Sequence, residues 1–385
     1  MHDETRLIRA GAKQPLKART VGPAVQKGST VLLPNAAALY DHSHQTYGRE
    51  GLSAQRSLEE GLCVLEGASR VFLYPSGLAA ATGAMLALLK AGDEALVVDT
   101  IYRPTRRFCT QLLRRYGVSV RYYDPLASAE EVMALCTPAT RLIVMESPGS
   151  LTFELQDAPG IARLARDRGI LTLMDNTWGA GLTFKPLAHG VDVSVQALTK
   201  YVGGHSDVFM GSAAVNDPKL AAQLDAGQVH MGWAVTGEDA YQMLRGLRTL
   251  PTRMARHEAG GLEVARWLQG RPEVLEVIHP ALPGARGHEL WKRDFTGACG
   301  LFALVLRPAP EPAVHAFLDA LQLFGLGFSW GGFESLAIHC HPQLGEREHL
   351  APFDGPLIRL HVGLEAPGDL IDDLAVGLAA FEASA

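Results

Sequence analysis

The chain has 385 residues, of which 47% are hydrophobic and 20% are charged. This length exceeds the usual size of a single hydrophobic core, and the composition excludes a disordered chain or a coiled coil. The formal net charge of −6 argues against nucleic acid and anionic lipid as the main partners.

The cysteines and the amino terminus bear on the cellular compartment. The five cysteines are far apart in the chain and form no CxxC motif, which predicts free thiols in a reducing compartment, the cytoplasm. The first residues include acids and lead into no apolar segment, so no signal peptide is predicted. The long uncharged stretch 71–89 is interrupted by Pro75 and Gly77, which favours a strand, turn and helix over a membrane span.

Residues 1–50 are polar and irregular, and we interpret them as an N-terminal arm that gains order on another surface. Residues 51–246 alternate between short apolar runs and helical stretches. This pattern predicts an α/β domain with a mostly parallel seven-stranded sheet that is buried on both faces. The predicted strands are 71–74, 95–98, 118–122, 141–145, 170–175, 191–197 and 211–215. The predicted helices are 78–90, 104–116, 129–136 and 159–168.

Residues 247–385 predict a smaller C-terminal α/β domain. Its predicted helices are 252–269, 312–324 and 369–382, and its predicted strands are 274–278, 301–306, 335–339 and 357–362. Because ligands of parallel α/β sheets bind beyond the carboxyl ends of the strands, the residues after each strand of the large domain are the first candidates for a functional site.

The first strand of the large domain turns through Pro75, Ser76 and Gly77 into an alanine-rich helix. Ser76 is a suitable N-cap, and Gly77 lets a ligand approach the main chain. The free amides of Gly77 and Leu78 would then form a site for a phosphate or carboxylate. An ordinary capped helix explains the same residues, and this segment alone does not decide between the two.

Asp175 follows five uncharged residues at the end of a predicted strand. Such an acid could cap a helix, bind a metal ion or pair with a buried cation, for example a protonated pyridine nitrogen.

Lys200 follows an apolar strand and precedes a pair of glycines. A lysine that is partly withdrawn from water has a lowered pKa, and its amine becomes a nucleophile for carbonyl groups. Most lysines are solvated instead, and Lys90, Lys185 and Lys219 fit that description. We therefore select Lys200 as the catalytic candidate.

An anion site, an acid for a ring nitrogen and a lysine for an aldehyde match the three reactive groups of pyridoxal 5'-phosphate. Nicotinamide dinucleotides are the main rival among cofactors. The chain has no GxGxxG motif after a predicted strand, which argues against them.

The chain also resembles the cysteine/methionine-metabolism family of fold-type I pyridoxal-phosphate enzymes, from Tyr47 to about Glu365. The lysine motif of the family is matched by residues 197–201 and 204–207, and its arm motif by residues 47–49. Three further stretches look like the β-lyases of the family, namely 146–150, 328–335 and 358–365.

This resemblance implies a role for each matching residue around the cofactor. Lys200 would bind the cofactor covalently and act as the catalytic base, and Asp175 would keep the ring nitrogen protonated. Tyr102 would stack on the ring and assist catalysis. Gly77, Leu78 and Thr199 would hold the phosphate.

Other matching residues are implied to contact the substrate or a neighbouring subunit. Arg359 would bind the substrate α-carboxylate as a fork, and Ser329 and Trp330 would line the pocket. Tyr47 and Arg49 would reach the phosphate in a neighbouring subunit. The active sites would then be shared across a dimer, and the family implies a homotetramer, a dimer of dimers.

The implied reaction is α,β-elimination of a small amino-acid thioether, L-cystathionine, to homocysteine, pyruvate and ammonia, as in methionine biosynthesis. The sister γ-lyase and γ-synthase activities of the family remain open. Two positions depart from the family pattern, because Ala197 replaces a serine and Phe328 stands where a tyrosine is expected. A metal-binding protein is a rival from another class, suggested by His42, His44, His339 and His341.

Overall fold

The computed structural model describes residues 1–10, 20–41, 43–349 and 353–385. The large sheet has seven strands in the order β1-β7-β6-β5-β4-β2-β3, and only β7 runs antiparallel to its neighbours. The predicted mostly parallel sheet is therefore confirmed. Its strands are β1 (Arg70–Tyr74), β2 (Glu94–Val98), β3 (Ser119–Tyr123), β4 (Thr140–Glu146), β5 (Leu171–Asp175), β6 (Val193–Gln196) and β7 (Gly211–Val215).

The helices of this part of the chain lie before β1 or between the strands of the large sheet, except α7, which follows β7. They are α1 (Asp3–Arg9), α2 (Ser53–Glu66), α3 (Gly77–Leu88), α4 (Arg103–Arg107), α5 (Ala129–Leu135), α6 (Ala158–Asp167) and α7 (Pro218–Met231). Every residue of β2, β6 and β7 is buried, because helices pack on both faces of the sheet and these strands carry few charges.

The predicted second α/β region is also confirmed. Its five-stranded sheet has the order β10-β11-β12-β9-β8, and all neighbouring pairs except β10–β11 are antiparallel. The strands are β8 (Val274–Ile278), β9 (Leu301–Leu306), β10 (Gly325–Leu326), β11 (Leu336–His339) and β12 (Leu357–His361). The helices are α8 (Gly237–Gln269), α9 (His288–Asp294), α10 (Glu311–Ala320) and α11 (Pro367–Ser384).

Two helix predictions require correction. The predicted regular helix 104–116 is instead α4 followed by a π-helical turn (Phe108–Leu112) and a 3₁₀ turn (Leu113–Tyr116). The predicted helix 252–269 begins at Gly237 and contains Pro251 in its interior. Leu244, Leu247 and Leu250 are fully buried before that proline, so packing of this apolar face outweighs the cost of a proline inside a helix.

The description of residues 1–50 as irregular is also incomplete. Residues 3–9 form α1, whose Leu7 is fully buried.

Helix α2 was not predicted, although Leu58, Leu62 and Leu65 follow a helical period and are buried. The domain boundaries at 50/51 and 246/247 stay predictions, and the chain passes position 246 inside α8.

No helix of the described residues has the length and apolar character needed to cross a membrane.

Candidate active site

The residues predicted from the strand ends meet at the carboxyl edge of the large sheet. Strands β1, β2, β4, β5 and β6 all run in the same direction, so the segments that follow them lie at one edge. They surround a cavity of about 340 Å³. The cavity is lined by Gly77, Tyr102, Asp175, Thr199, Lys200 and Arg359, among others.

Lys200 lines this cavity shortly after β6. Its Nζ donates a 2.8 Å hydrogen bond to Ser329 Oγ and lies 5.3 Å from the centroid of the Trp330 ring. Burial and the charge of Arg359 lower the pKa of the lysine amine to about 8, and the charge of Asp175 opposes this shift. More of this amine is neutral near pH 7 than in an ordinary lysine, which suits attack on a carbonyl carbon.

Asp175 ends β5 and is held by a nearby threonine. Its Oδ1 accepts hydrogen bonds from the amide and the hydroxyl of Thr177, at 3.0 and 2.5 Å. Burial raises the pKa of Asp175, while the Thr177 bonds and the Lys200 charge oppose this. A cationic partner such as a pyridinium nitrogen would favour the ionised carboxylate. Sequence reasoning missed Thr177, although a hydroxyl two residues after an acid is a known local hydrogen-bond pattern.

The turn after β1 fits an anionic group. Ser76 caps α3, because its Oγ accepts a 3.1 Å hydrogen bond from the Ala79 amide. The amides of Gly77 and Leu78 lie in the first turn, where a helix offers no acceptor for them. A Cβ atom at position 77 would lie 2.4 Å from the Cβ of Ala197, so the close approach of these segments requires glycine. The donors present therefore fit the phosphate of pyridoxal 5'-phosphate.

Thr199 lines the same cavity, but its hydroxyl already has two main-chain partners. It donates to the Met210 carbonyl oxygen at 3.1 Å and accepts from the Met210 amide at 3.0 Å. Ala197 has no hydroxyl. The phosphate role of Thr199 stays a prediction, and it would require this hydroxyl hydrogen to leave Met210.

Arg359 lies on β12 of the second sheet and closes the cavity from the other side. Its Nη2 donates to the carbonyl oxygens of Ser329 and Phe328 at 2.9 and 3.2 Å. Its Nε is buried and has no hydrogen-bond partner in the part of the chain that the structure describes. Burial lowers the pKa of this guanidinium to about 10. A buried cation with an unused donor suits a carboxylate ligand.

Tyr102 lies at the mouth of the cavity, and 46% of its surface is exposed. Its amide donates a 2.6 Å hydrogen bond to Glu146 Oε2. Burial, together with the charges of Glu146 and Asp175, raises the pKa of the Tyr102 phenol. Burial raises the pKa of Glu146 well above its ordinary value. Sequence reasoning missed this role of Glu146, because the bond joins two strand ends that are distant in the chain.

A second cavity of about 450 Å³ adjoins the first and shares Lys200 and Arg359 with it. Its wall carries a small ion-pair network. Glu346 Oε1 lies 2.7 Å from Arg103 Nη2 and 3.1 Å from Arg107 Nη2. The cleft therefore extends from the lysine to a charged outer wall.

Tyr47 and Arg49 lie on the arm and do not line either cavity of this chain. The Arg49 guanidinium lies 5.3 Å from the centroid of the Tyr47 ring. An isolated β-bridge joins Thr30 and Tyr47 within the arm. The structure thus brings these two residues to each other but not to the other predicted site residues.

The structure describes three of the four histidines considered as metal ligands. His339 and His341 have ring centroids 5.3 Å apart. His42 lies outside the described residues. Within residues 1–10, 20–41, 43–349 and 353–385, no group of three or more His, Cys, Asp or Glu side chains could hold a metal ion.

Comparisons with known proteins agree with this geometry. The family model for Cys/Met metabolism PLP-dependent enzymes matches residues 4–379. The chain is 43% identical to a cystathionine beta-lyase of Bordetella avium, over 91% of this chain and 90% of that protein. It is 40% identical to cystathionine beta-lyase MetC of Escherichia coli (strain K12), over 98% of each. A crystal structure of metB from Corynebacterium glutamicum superposes with a TM-score of 0.92 at 29% identity, over 98% of each chain.

Proposed function

Because the chain belongs to the family of Cys/Met metabolism PLP-dependent enzymes, we propose that it is a carbon–sulfur lyase that cleaves L-cystathionine by α,β-elimination. The products are homocysteine, pyruvate and ammonia, and homocysteine serves methionine biosynthesis. The observation that carries this proposal is the cavity shared by the Lys200 amine, the Asp175 carboxylate and the Arg359 guanidinium. The names of the two relatives at 43% and 40% identity support the same reaction.

Different residues around the cavity would hold different groups of the cofactor. When bound, pyridoxal 5'-phosphate supplies an electron sink for the pair left at the substrate Cα. The amides of Gly77 and Leu78 would hold its phosphate, with Thr199 as a further phosphate contact. Asp175 would keep the ring nitrogen protonated, and Tyr102 would help to hold the ring.

The substrate is held so that one base serves two proton transfers. Arg359 binds the α-carboxylate, and Ser329 and Trp330 line the space around Cα. Lys200 removes the Cα proton, the bond between Cβ and sulfur breaks, and Lys200 returns a proton to the leaving sulfur of homocysteine. The remaining three-carbon unit takes up water and leaves as pyruvate and ammonia. Ser329 Oγ accepts a hydrogen bond from the lysine at 2.8 Å, which orients the amine for both transfers.

The arm supports an assembly in which active sites are shared. Tyr47 and Arg49 lie outside this chain's own cavities, and we assign them to the cofactor phosphate of a neighbouring subunit in a homotetramer built from two dimers. The same proposal divides the chain into an arm (1–50), a cofactor domain (51–246) and a C-terminal domain (247–385).

A cytoplasmic location completes the proposal. The five cysteines are all free thiols in the structure, and three of them are buried. Unpaired thiols are typical of a reducing compartment.

An absorbance spectrum of the purified protein, followed by addition of L-cystathionine, tests this function. We expect a visible cofactor band and release of pyruvate with homocysteine. Lys200→Ala should lose both the band and turnover, whereas Lys219→Ala at an exposed helix start should keep both. Release of cysteine and 2-oxobutyrate instead would assign the chain to the γ-lyases of the family. A Lys200→Ala protein with substantial turnover would remove Lys200 from its role.

A further inference from the structure

Two buried histidines lie behind the wall of the cavity and have no part in the proposed mechanism. His257 and His361 are both fully buried, and their ring centroids are 5.3 Å apart. Tyr201, the residue after Lys200, packs edge-on against His257 with 5.1 Å between the ring centroids. Burial of imidazole nitrogens costs free energy unless they form hydrogen bonds, so two buried histidines here indicate a structural role.

His361 forms a hydrogen bond to the loop 327–335 between β10 and β11. This loop carries Ser329, the hydrogen-bond partner of Lys200. The Gly331 amide, two residues after Ser329, donates a 3.0 Å hydrogen bond to His361 Nε2. Gly331 has a φ of +82°, and a Cβ atom there would lie 2.8 Å from the Tyr201 amide nitrogen and 3.0 Å from the Lys200 Cβ. At Gly331, the main chain of the loop therefore packs directly on the main chain next to Lys200.

We assign the tautomers of the two rings from these hydrogen bonds. An amide can only donate, so His361 Nε2 accepts from Gly331 and the proton lies on Nδ1. The Gly332 carbonyl oxygen is also 3.1 Å from Nε2, but a proton on Nε2 would leave the Gly331 amide without an acceptor. His257 Nδ1 lies 2.9 Å from the Val362 carbonyl oxygen and donates to it.

The two remaining ring nitrogens are complementary. With this assignment His361 Nδ1 is a donor and His257 Nε2 is an acceptor, and both are buried without a hydrogen-bond partner among the described residues. The two rings pack against each other, with 5.3 Å between their centroids. Burial lowers the pKa of His361 well below its ordinary value, which agrees with a neutral ring.

Strand β12 thus attaches to the loop at two points on one face. Arg359 and His361 are two residues apart on β12, so their side chains point to the same side of the sheet. Arg359 Nη2 holds the Ser329 carbonyl oxygen at 2.9 Å, and His361 holds the Gly331 amide at 3.0 Å. The residue between these contacts is Trp330, whose ring lies 5.3 Å from the Lys200 Nζ.

We propose that His361 is a positioning residue for Lys200: its ring, backed by His257, fixes the Gly331 amide and keeps Ser329 within hydrogen-bond distance of the lysine amine. This inference rests on the proposed role of Lys200. It assigns to His361 no contact with substrate or cofactor.

Three variants at position 361 distinguish the loss of the hydrogen-bond acceptor from the loss of the ring. His361→Phe keeps a ring without an acceptor, His361→Leu has neither, and His361→Gln offers an amide oxygen in place of Nε2. The matched control is His279→Phe, because His279 is also fully buried in the C-terminal region, but its ring nitrogens bond to the Cys299 carbonyl oxygen and the Ala281 amide. Each holoenzyme is assayed with L-cystathionine, and the visible circular dichroism of its bound cofactor is recorded.

We expect His361→Phe and His361→Leu to lower kcat roughly tenfold or more with a much smaller change in KM, because the base is displaced rather than the carboxylate site. Their visible dichroism should change, and His361→Gln should recover most of both signals. His279→Phe should lower the melting temperature and leave both signals unchanged. If His361→Phe does not fold, His361→Leu carries the test.

Phe and Leu variants that match the wild type in kcat and dichroism would overturn the positioning role, as would a Gln variant as impaired as they are. Failure of the proposed function is a different result, because the wild type itself would then release no pyruvate from L-cystathionine. The dichroism of the bound cofactor would still test His361 in that case.

Discussion

Gly77 and Ala197 are so close that a Cβ atom added to Gly77 would lie 2.4 Å from the Ala197 Cβ and 2.7 Å from its Cα. This contact joins the first turn of α3 to the segment that leads to Lys200. The turn that begins α3 and the segment that carries the lysine are therefore packed against each other.

Gly77→Ala should weaken cofactor binding, because the helix start must move away from residue 197 to admit a methyl group. We expect a dissociation constant for pyridoxal 5'-phosphate that is higher by roughly tenfold, or about 1.4 kcal/mol. Equilibrium titration of the apoprotein by absorbance measures it. Gly368→Ala is the control, since nothing lies within 4 Å of a Cβ there. Equal affinities of the Gly77→Ala protein and the wild type would contradict the phosphate assignment.

Asp175→Asn should retain the fold and lose activity. The asparagine oxygen can still accept the bonds from Thr177, but it cannot hold a proton on a ring nitrogen by its charge. We expect kcat to fall roughly a hundredfold or more, since a fixed charge beside the reacting system is lost. Steady-state pyruvate release measures this loss.

Asp192→Asn is the matched control for that experiment. Asp192 also accepts from the amide and hydroxyl of a threonine, Thr172, at 2.8 Å each, but near the opposite end of the sheet strands. Its variant should keep kcat. A similar loss of activity in both variants would show that the effect comes from stability and not from charge at the site.

The lowered pKa of Lys200 predicts how fast the apoprotein takes up its cofactor at different pH. Only the neutral amine attacks an aldehyde, and burial lowers the pKa of this amine from 10.5 to about 8. The neutral fraction is roughly one tenth at pH 7 and nine tenths at pH 9. The reconstitution rate, followed by absorbance, should therefore rise between these pH values and level off above them. A rate that continues to rise to pH 10.5 would indicate an ordinary lysine.

Arg359→Lys should raise KM for L-cystathionine while the cofactor band remains. Lysine lacks the planar fork that binds a carboxylate through two bonds, and it cannot reproduce the Nη2 contact with Ser329. We expect an increase of roughly tenfold or more in KM from initial-rate measurements. Arg307→Lys serves as the control, because Arg307 follows β9, is partly exposed, pairs with Glu382 and does not line the cavity. An unchanged KM would separate Arg359 from the α-carboxylate.

Much of the fold could be predicted because its signals are local. The seven strands of the large sheet are short apolar runs, and each was located to within a few residues by composition alone. Helices α2 and α7 were not predicted, although Leu58 and Leu62 of α2 follow a helical period. The interrupted helix after Tyr102 could not be predicted, since a π-helical turn depends on what packs around it.

The candidate site also combines groups that local sequence reveals with contacts that it does not. Asp175, Lys200 and the Gly77 turn could be identified from consecutive residues, because a strand that ends in a chemically active group is a pattern of neighbours in the chain. The hydrogen bonds from Lys200 to Ser329, from Tyr102 to Glu146 and from Gly331 to His361 have no such pattern. They join segments from different strands or different sheets, and folding alone brings those atoms within 3 Å of each other. Which chemical groups the chain possesses could thus be inferred without a structure, whereas their partners depend on long-range packing that no local period encodes.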